Sequence, residues 1–217
     1  MFKICFLFDK KNLWIKNFFL KKKFKINNLY SFKFSENYKS VKNFDVVFIL
    51  GYTKLLNKNF LKKNKLSLVV HESDLPKGKG FAPVQWQILK GQTVIPMCLI
   101  KVEINPDSGD IYEKIYFKVS HTDLYDQIRE KQAAATIKII KKFLKKYPKI
   151  KAKKQKGKET FFKKRKKSDS KLDINKSIKE QFNLLRICNN NQWPAHLFYK
   201  NKKFIIKITS ENIKNKI

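Results

Sequence analysis

Two apolar runs decide the fold: Asp45-Val-Val-Phe-Ile-Leu50, which stops at Gly51, and Leu66-Ser-Leu-Val-Val70, which stops at His71. Both are short, continuous and rich in β-branched or large apolar side chains, as strands buried on both faces are. Between them, Lys54 to Lys63 can form a helix, so the unit predicts parallel strands joined by a crossover. Working outward, Lys3 to Phe8 reads as a first buried strand, and Asn12 to Leu20, with Leu13, Trp14, Phe18 and Phe19, as a helix packed on it. A lysine-blurred second strand is expected near Phe24 to Phe34. Sheets of this kind bind ligands beyond the carboxyl ends of their strands, which puts the expected site at Gly51-Tyr52 and His71-Glu-Ser-Asp74.

Further along, Pro83 suits the first turn of a helix over Val84 to Lys90, and Gly91 suits its end. Val94 to Glu103 and Ile111 to Val119 read as strands around the turn Asn105-Pro-Asp-Ser-Gly109. A long helix is predicted from near Thr122, with Leu124, Ile128, Ile137, Ile140 and Leu144 on one face and Pro148 as its stop. Residues 149–167 are mostly lysine and read as a mobile linker. Ile178, Phe182 and Leu185 then mark an amphipathic helix, and Leu197 to Tyr199 with Phe204 to Ile208 a hairpin around Asn201-Lys-Lys203. The expected organisation is an α/β domain with a mainly parallel sheet over 1–148, a linker over 149–167 and a small helix-hairpin appendage over 168–217.

A chain of 217 residues with 42% hydrophobic content can bury a real core. The net charge of +33 comes almost wholly from lysine, since arginine occurs only at Arg129, Arg165 and Arg186. With abundant Asn, Ile and Phe, this is the profile that codon drift in an AT-rich genome produces. Arginine is the better residue for bidentate phosphate or guanine recognition, so the charge weighs against specific readout and is only compatible with nonspecific nucleic-acid binding through lysines. The N-terminal apolar run Ile4 to Phe8 is closed by Asp9-Lys-Lys11, which fits a strand better than a leader or membrane span. A cytoplasmic protein with no membrane partner is expected, and a homo-oligomer is compatible with the sequence. Cys5, Cys98 and Cys188 form no CxxC pair and are expected to be buried thiols, and no metal-ligand cluster is visible.

The block His71-Glu-Ser-Asp-Leu-Pro-Lys-Gly-Lys-Gly-Phe-Ala-Pro-Val-Gln-Trp-Gln-Ile-Leu-Lys-Gly91, with Ile95-Pro96 and Asp107-Ser-Gly-Asp110, resembles the formyltransferase signature. In that signature a strand ends in a catalytic histidine, a Leu-Pro and glycine-rich loop leads into a helix, and an Asp-(Ser/Thr)-Gly turn follows. The form of the loop is most similar to enzymes that N-formylate nucleotide-linked 4-amino sugars. Lys163 to Asp173, Ile178 to Arg186 and Pro194-Ala-His-Leu-Phe198 are also similar to the start of the family's C-terminal region, so the resemblance runs from about Val46 to Ile208. It implies a Rossmann-like domain and 10-formyltetrahydrofolate as formyl donor. It also implies the amine of a nucleotide-linked 4-amino-deoxy sugar as acceptor. Methionyl-tRNA as acceptor, or a non-catalytic anion- or RNA-binding relative, are the rival readings. The short tail and the His-Glu-Ser-Asp form weigh against the first.

A histidine at a strand end and an aspartate in a turn are ordinary when taken singly. Inside this pattern, His71 is expected to accept or relay the proton of an attacking amine, with Asp107 supporting it. By the same resemblance Gly51, Tyr52, Leu56 and Gly109 would contact the folate. Lys77 and Lys79 would meet the substrate's pyrophosphate through charge and exposed N–H groups, with a solvated lysine loop as the equal alternative. The family usually carries an asparagine two residues before the histidine, whose amide donates to the developing oxyanion; here that residue is Val69. His121 and His196 lie outside the pattern and read as surface or structural.

Overall fold

The computed structural model describes residues 1–10, 12–21, 24, 28–52 and 56–211. Its centre is a six-stranded sheet built from β1 (Phe2–Phe8), β2 (Tyr30–Ser35), β3 (Val46–Leu50), β4 (Leu66–His71), β6 (Val94–Lys101) and β7 (Ile111–Lys118). The strand order is β2-β1-β3-β4-β6-β7. The first four strands pair in parallel, and β6 and β7 add antiparallel. The expected α/β class with a mainly parallel sheet is therefore what forms.

Alternation along the strands explains why both faces are covered. Ile4, Phe6, Phe8, Val46, Phe48, Leu50 and Leu68 face a core roofed by Phe19 of α1 (Leu13–Lys21), Ile88 of α3 (Pro83–Leu89) and Ile139 and Phe143 of α4 (Tyr125–Leu144). Cys5, Leu7, Val47 and Ile49 face the other way, onto Val41 and Phe60 of α2 (Lys58–Lys62). Each such fully buried side chain contributes about 1.5–3 kcal/mol. Three of the predicted helical positions on α4, Ile128, Ile140 and Leu144, are buried. The helix starts at Tyr125 rather than near Thr122, because the Asp123 carboxylate accepts from the Ser120 N–H at 2.6 Å and closes a turn first. Glu113 on β7 ties that helix to the sheet. Burial pushes its carboxyl up, and the ammonium groups of Lys142 and Lys146 outweigh this and hold it below its ordinary range.

In the expected second strand, residues 25–27 lie outside the described ones. Phe24 is not in β2, yet its ring packs on Phe6 at 5.0 Å and Phe19 at 5.5 Å. The expected helix over Lys54 to Lys63 forms at Lys58–Lys62, while Lys54 and Leu55 lie outside the described residues. The three cysteines are free and buried, and burial pushes the Cys5 thiol up to about 12. Among the described residues no helix is long and apolar enough to cross a membrane.

The mobile-linker expectation for 149–167 needs correction. Lys153 exchanges two backbone hydrogen bonds with Ile111, both 2.8 Å, and β8 (Phe161–Phe162) pairs in parallel with β5 (Lys79–Gly80). The indole N–H of Trp86 donates to the Lys163 carbonyl at 2.8 Å. Main-chain bonding needs no apolar side chains, so a lysine-rich stretch can be pinned through its backbone while its ammonium groups stay in water. Beyond it, α5 (Ile178–Arg186) starts with a capping box of Ser177 and Glu180, and β9 (Ala195–Tyr199) and β10 (Lys202–Ile206) form the expected hairpin. The wholly buried Arg186 guanidinium donates to the Ser120 carbonyl at 2.8 Å and anchors this tail to the approach to α4.

Candidate active site

His71 is the last residue of β4 and shares a sheet face with Val69 and Ser67. Its ring is buried, and Nε2 lies 2.8 Å from the Gly78 carbonyl oxygen. A carbonyl can only accept, so Nε2 carries the hydrogen in this contact. Nδ1 faces Asp107 Oδ1 at 3.4 Å, within ion-pair range. Asp107 sits in the β6–β7 turn with φ of 56°, a left-handed conformation that aspartate tolerates better than most residues. Its Oδ2 accepts from the Gly80 N–H at 2.8 Å. Its main-chain carbonyl accepts at 2.8 Å from Gln155 Nε2, which donates at the same distance to the Gly109 carbonyl. Two residues 36 positions apart in sequence, expected to act together, thus meet at the end of β4.

The glycines of the loop are explained by close approach. A Cβ on Gly80 would overlap the Phe162 carbonyl, and one on Gly78 would lie 2.6 Å from the Phe162 ring. Gly109 has no room either, because a Cβ there would overlap the Lys101 carbonyl. The two lysines expected to share a pyrophosphate are not brought together. Lys79 is buried and its ammonium pairs with Glu159, whereas Lys77 is exposed on the loop.

Gly51 follows β3 with φ of 61°, beside the strand that carries His71, and its carbonyl accepts from Asn12 Nδ2 at 2.5 Å. Tyr52, Leu56 and Val102 pack together with the apolar group around Ile49 and Phe60, on the sheet face that His71 occupies. Burial, then the Asp9 carboxylate, push the Tyr52 phenol up, so it stays a neutral donor at physiological pH. Val69 packs with Leu75, Cys98 and Ile100 and offers no donor. Burial also pushes the Cys98 thiol up; its sulfur donates to the Ser73 carbonyl at 3.3 Å, which leaves it inert. His121 is exposed. His196 is buried in the tail, where desolvation and then Lys203 lower its pKa. Among the described residues there is no cluster that could hold a metal.

Sequence reading missed Gln155, Glu159 and Thr160, which all bond to the loop or the turn. The available signal was slight: they are non-basic residues interrupting a lysine tract. It also missed the backing of Glu72, whose carboxylate accepts from Gln132 Nε2 at 2.5 Å and whose carbonyl accepts from Gln87 Nε2 at 2.7 Å.

The fold and the site define a Rossmann-like α/β protein with an imidazole–carboxylate pair beyond the carboxyl ends of its parallel strands. The chain belongs to the formyl transferase family, which matches residues 9–144. It is 31% identical over 212 residues to a methionyl-tRNA formyltransferase of Fusobacterium nucleatum, covering 94% of this chain and 66% of that one. The chain spans about half the length of other curated relatives it matches. In structure it resembles methionyl-tRNA formyltransferase from Clostridium thermocellum, with a TM-score of 0.80 at 19% identity over 99% of this chain and 95% of that one. It also resembles a sugar N-formyltransferase from Shewanella sp. FDAARGOS_354, with a TM-score of 0.70 at 16% identity over 99% and 100% of the two chains.

Val69 stands where the resemblance places an oxyanion donor, which a substitution can test. Val69→Asn is expected to keep or raise formyl transfer, since it adds an amide donor where the family usually has one, and such a donor is worth about 100-fold or more. Initial rates on the folded variant check this. Abolished activity would show that another group already fills that space.

Proposed function

We propose that this chain transfers the formyl group of 10-formyltetrahydrofolate to the amine of a nucleotide-linked 4-amino-deoxy sugar. The observation that carries the reading is the His71–Asp107 pair, held at 3.4 Å at the carboxyl end of β4, on the sheet face where Tyr52, Leu56 and Val102 pack. Apolar side chains of this kind suit a flat ring, and Gly51 and Gly109 are the backbone positions assigned to it by resemblance. The folate supplies an activated formyl carbon.

His71 keeps its Nε2–H on the Gly78 carbonyl and presents Nδ1 as the base. As the amine nitrogen bonds to the formyl carbon, Nδ1 takes its proton, and the imidazolium so formed lies next to the Asp107 carboxylate. The proton then passes to N10 of the folate as the carbon–N10 bond breaks, which leaves a formamide and tetrahydrofolate. For the acceptor, the His71-to-Gly80 loop has the form associated with amino-sugar enzymes, and Lys77 is the loop cation open to a diphosphate. Lys79 joins it only if its pair with Glu159 opens.

Methionyl-tRNA is the second reading, favoured by the names of the curated relatives and by the higher TM-score. Turnover decides: each acceptor is offered with the same donor, and products are read by mass. Mass gain on the amino sugar is the expected result. Formylated tRNA with no sugar product would overturn the acceptor, and no product from either would overturn the activity. A sugar diphosphate should bind with a shallow salt dependence, whereas log K for tRNA falls by about 0.7–0.9 per log unit of salt for each phosphate neutralised.

A further inference from the structure

The loop and the turn that hold His71 and Asp107 are themselves gripped by the lysine-rich segment. The Gly78–Lys79 peptide bonds on both sides: its carbonyl accepts from His71 Nε2 at 2.8 Å, and its N–H donates to the Thr160 carbonyl at 2.9 Å. The preceding peptide donates its Gly78 N–H to Thr160 Oγ1 at 2.8 Å. Thr160 completes the grip by donating its own N–H to the Pro76 carbonyl at 3.4 Å. Five residues earlier, Gln155 Nε2 spans the Asp107 and Gly109 carbonyls and fixes the left-handed backbone from which the Asp107 carboxylate projects. Linked amide dipoles polarise one another, so the bond at Thr160 strengthens the acceptor that His71 uses.

We infer that Thr160 and Gln155 are positioning residues: the Thr160 hydroxyl, by accepting from the Gly78 N–H, aims the residue whose carbonyl holds the His71 ring, and Gln155 sets Asp107 through its main chain. Neither touches the reacting atoms. Thr160 is exposed, so replacing it by valine opens no cavity and removes only the oxygen that accepts from Gly78. The catalytic consequence rests on His71 being the base, but its positioning does not.

The test therefore reads the ring itself. His71 is one of three histidines, which makes its imidazole signals assignable by 15N labelling. A slowly exchanging Nε2–H resonance is expected in the unaltered chain. It should move and exchange faster in Thr160→Val and in Gln155→Leu, and return in Thr160→Ser, which keeps the oxygen. Formyl transfer should fall about tenfold in kcat for Thr160→Val with KM for the donor unchanged, because a misaligned base costs rate without costing binding. An unmoved resonance in folded Thr160→Val and Gln155→Leu would overturn the inference. So would loss of folding in both, since the segment would then be holding the fold rather than the ring. If the unaltered chain transfers no formyl group, the functional reading fails while the resonance still decides the positioning.

Discussion

His71→Asn is expected to lower formyl transfer by about 10²- to 10⁴-fold, the range that one positioned acid–base group supplies. The protein should stay folded, because the ring sits at a strand end and its one short bond is to a loop carbonyl at 2.8 Å. Asp107→Asn isolates the charge. Asparagine also tolerates the left-handed φ of 56°, and its side-chain oxygen can still accept from the Gly80 N–H. The geometry therefore survives while compensation of the imidazolium is lost, with an expected fall of about 100-fold or less. Single-turnover rates paired with thermal melts check both variants. Full activity in the two folded proteins would remove the site assignment.

The largest stability effect is expected from Gly109→Ala. Its φ is not left-handed, so the cost does not come from backbone conformation. It comes from the Lys101 carbonyl, which occupies the space a Cβ needs while Lys101 N–H bonds to the Asp110 carbonyl at 3.0 Å. Admitting a methyl means parting β6 from the turn and shifting Asp107, for about 4 kcal/mol, the range reserved for strain of this severity. Gly91→Ala is the control: nothing lies within 4 Å of its Cβ, but its φ of +82° costs about 1–2 kcal/mol. Urea midpoints compare the two. Equal shifts would show that the hairpin yields to the methyl at little cost.

What could be read from the sequence follows from the range of the forces involved. The runs 46–50 and 66–71, the proline-initiated α3 and the apolar face of α4 are local patterns, and burial enforces them wherever they occur. His71 at a strand end, the loop glycines and the Asp107 turn were legible for the same reason. The resemblance then gave them chemistry. Partner choice was not legible. A lysine tract has the same composition whether it is a solvated tether or a backbone-bonded strap, because main-chain hydrogen bonds take no account of side-chain identity. Only the tertiary structure could pair Lys79 with Glu159 across 80 positions, bring Gln155 to Asp107 across 48, and set Thr160 against Gly78, whose carbonyl holds His71. Each of these contacts depends on where the sheet places the ends of β4, β6 and β7.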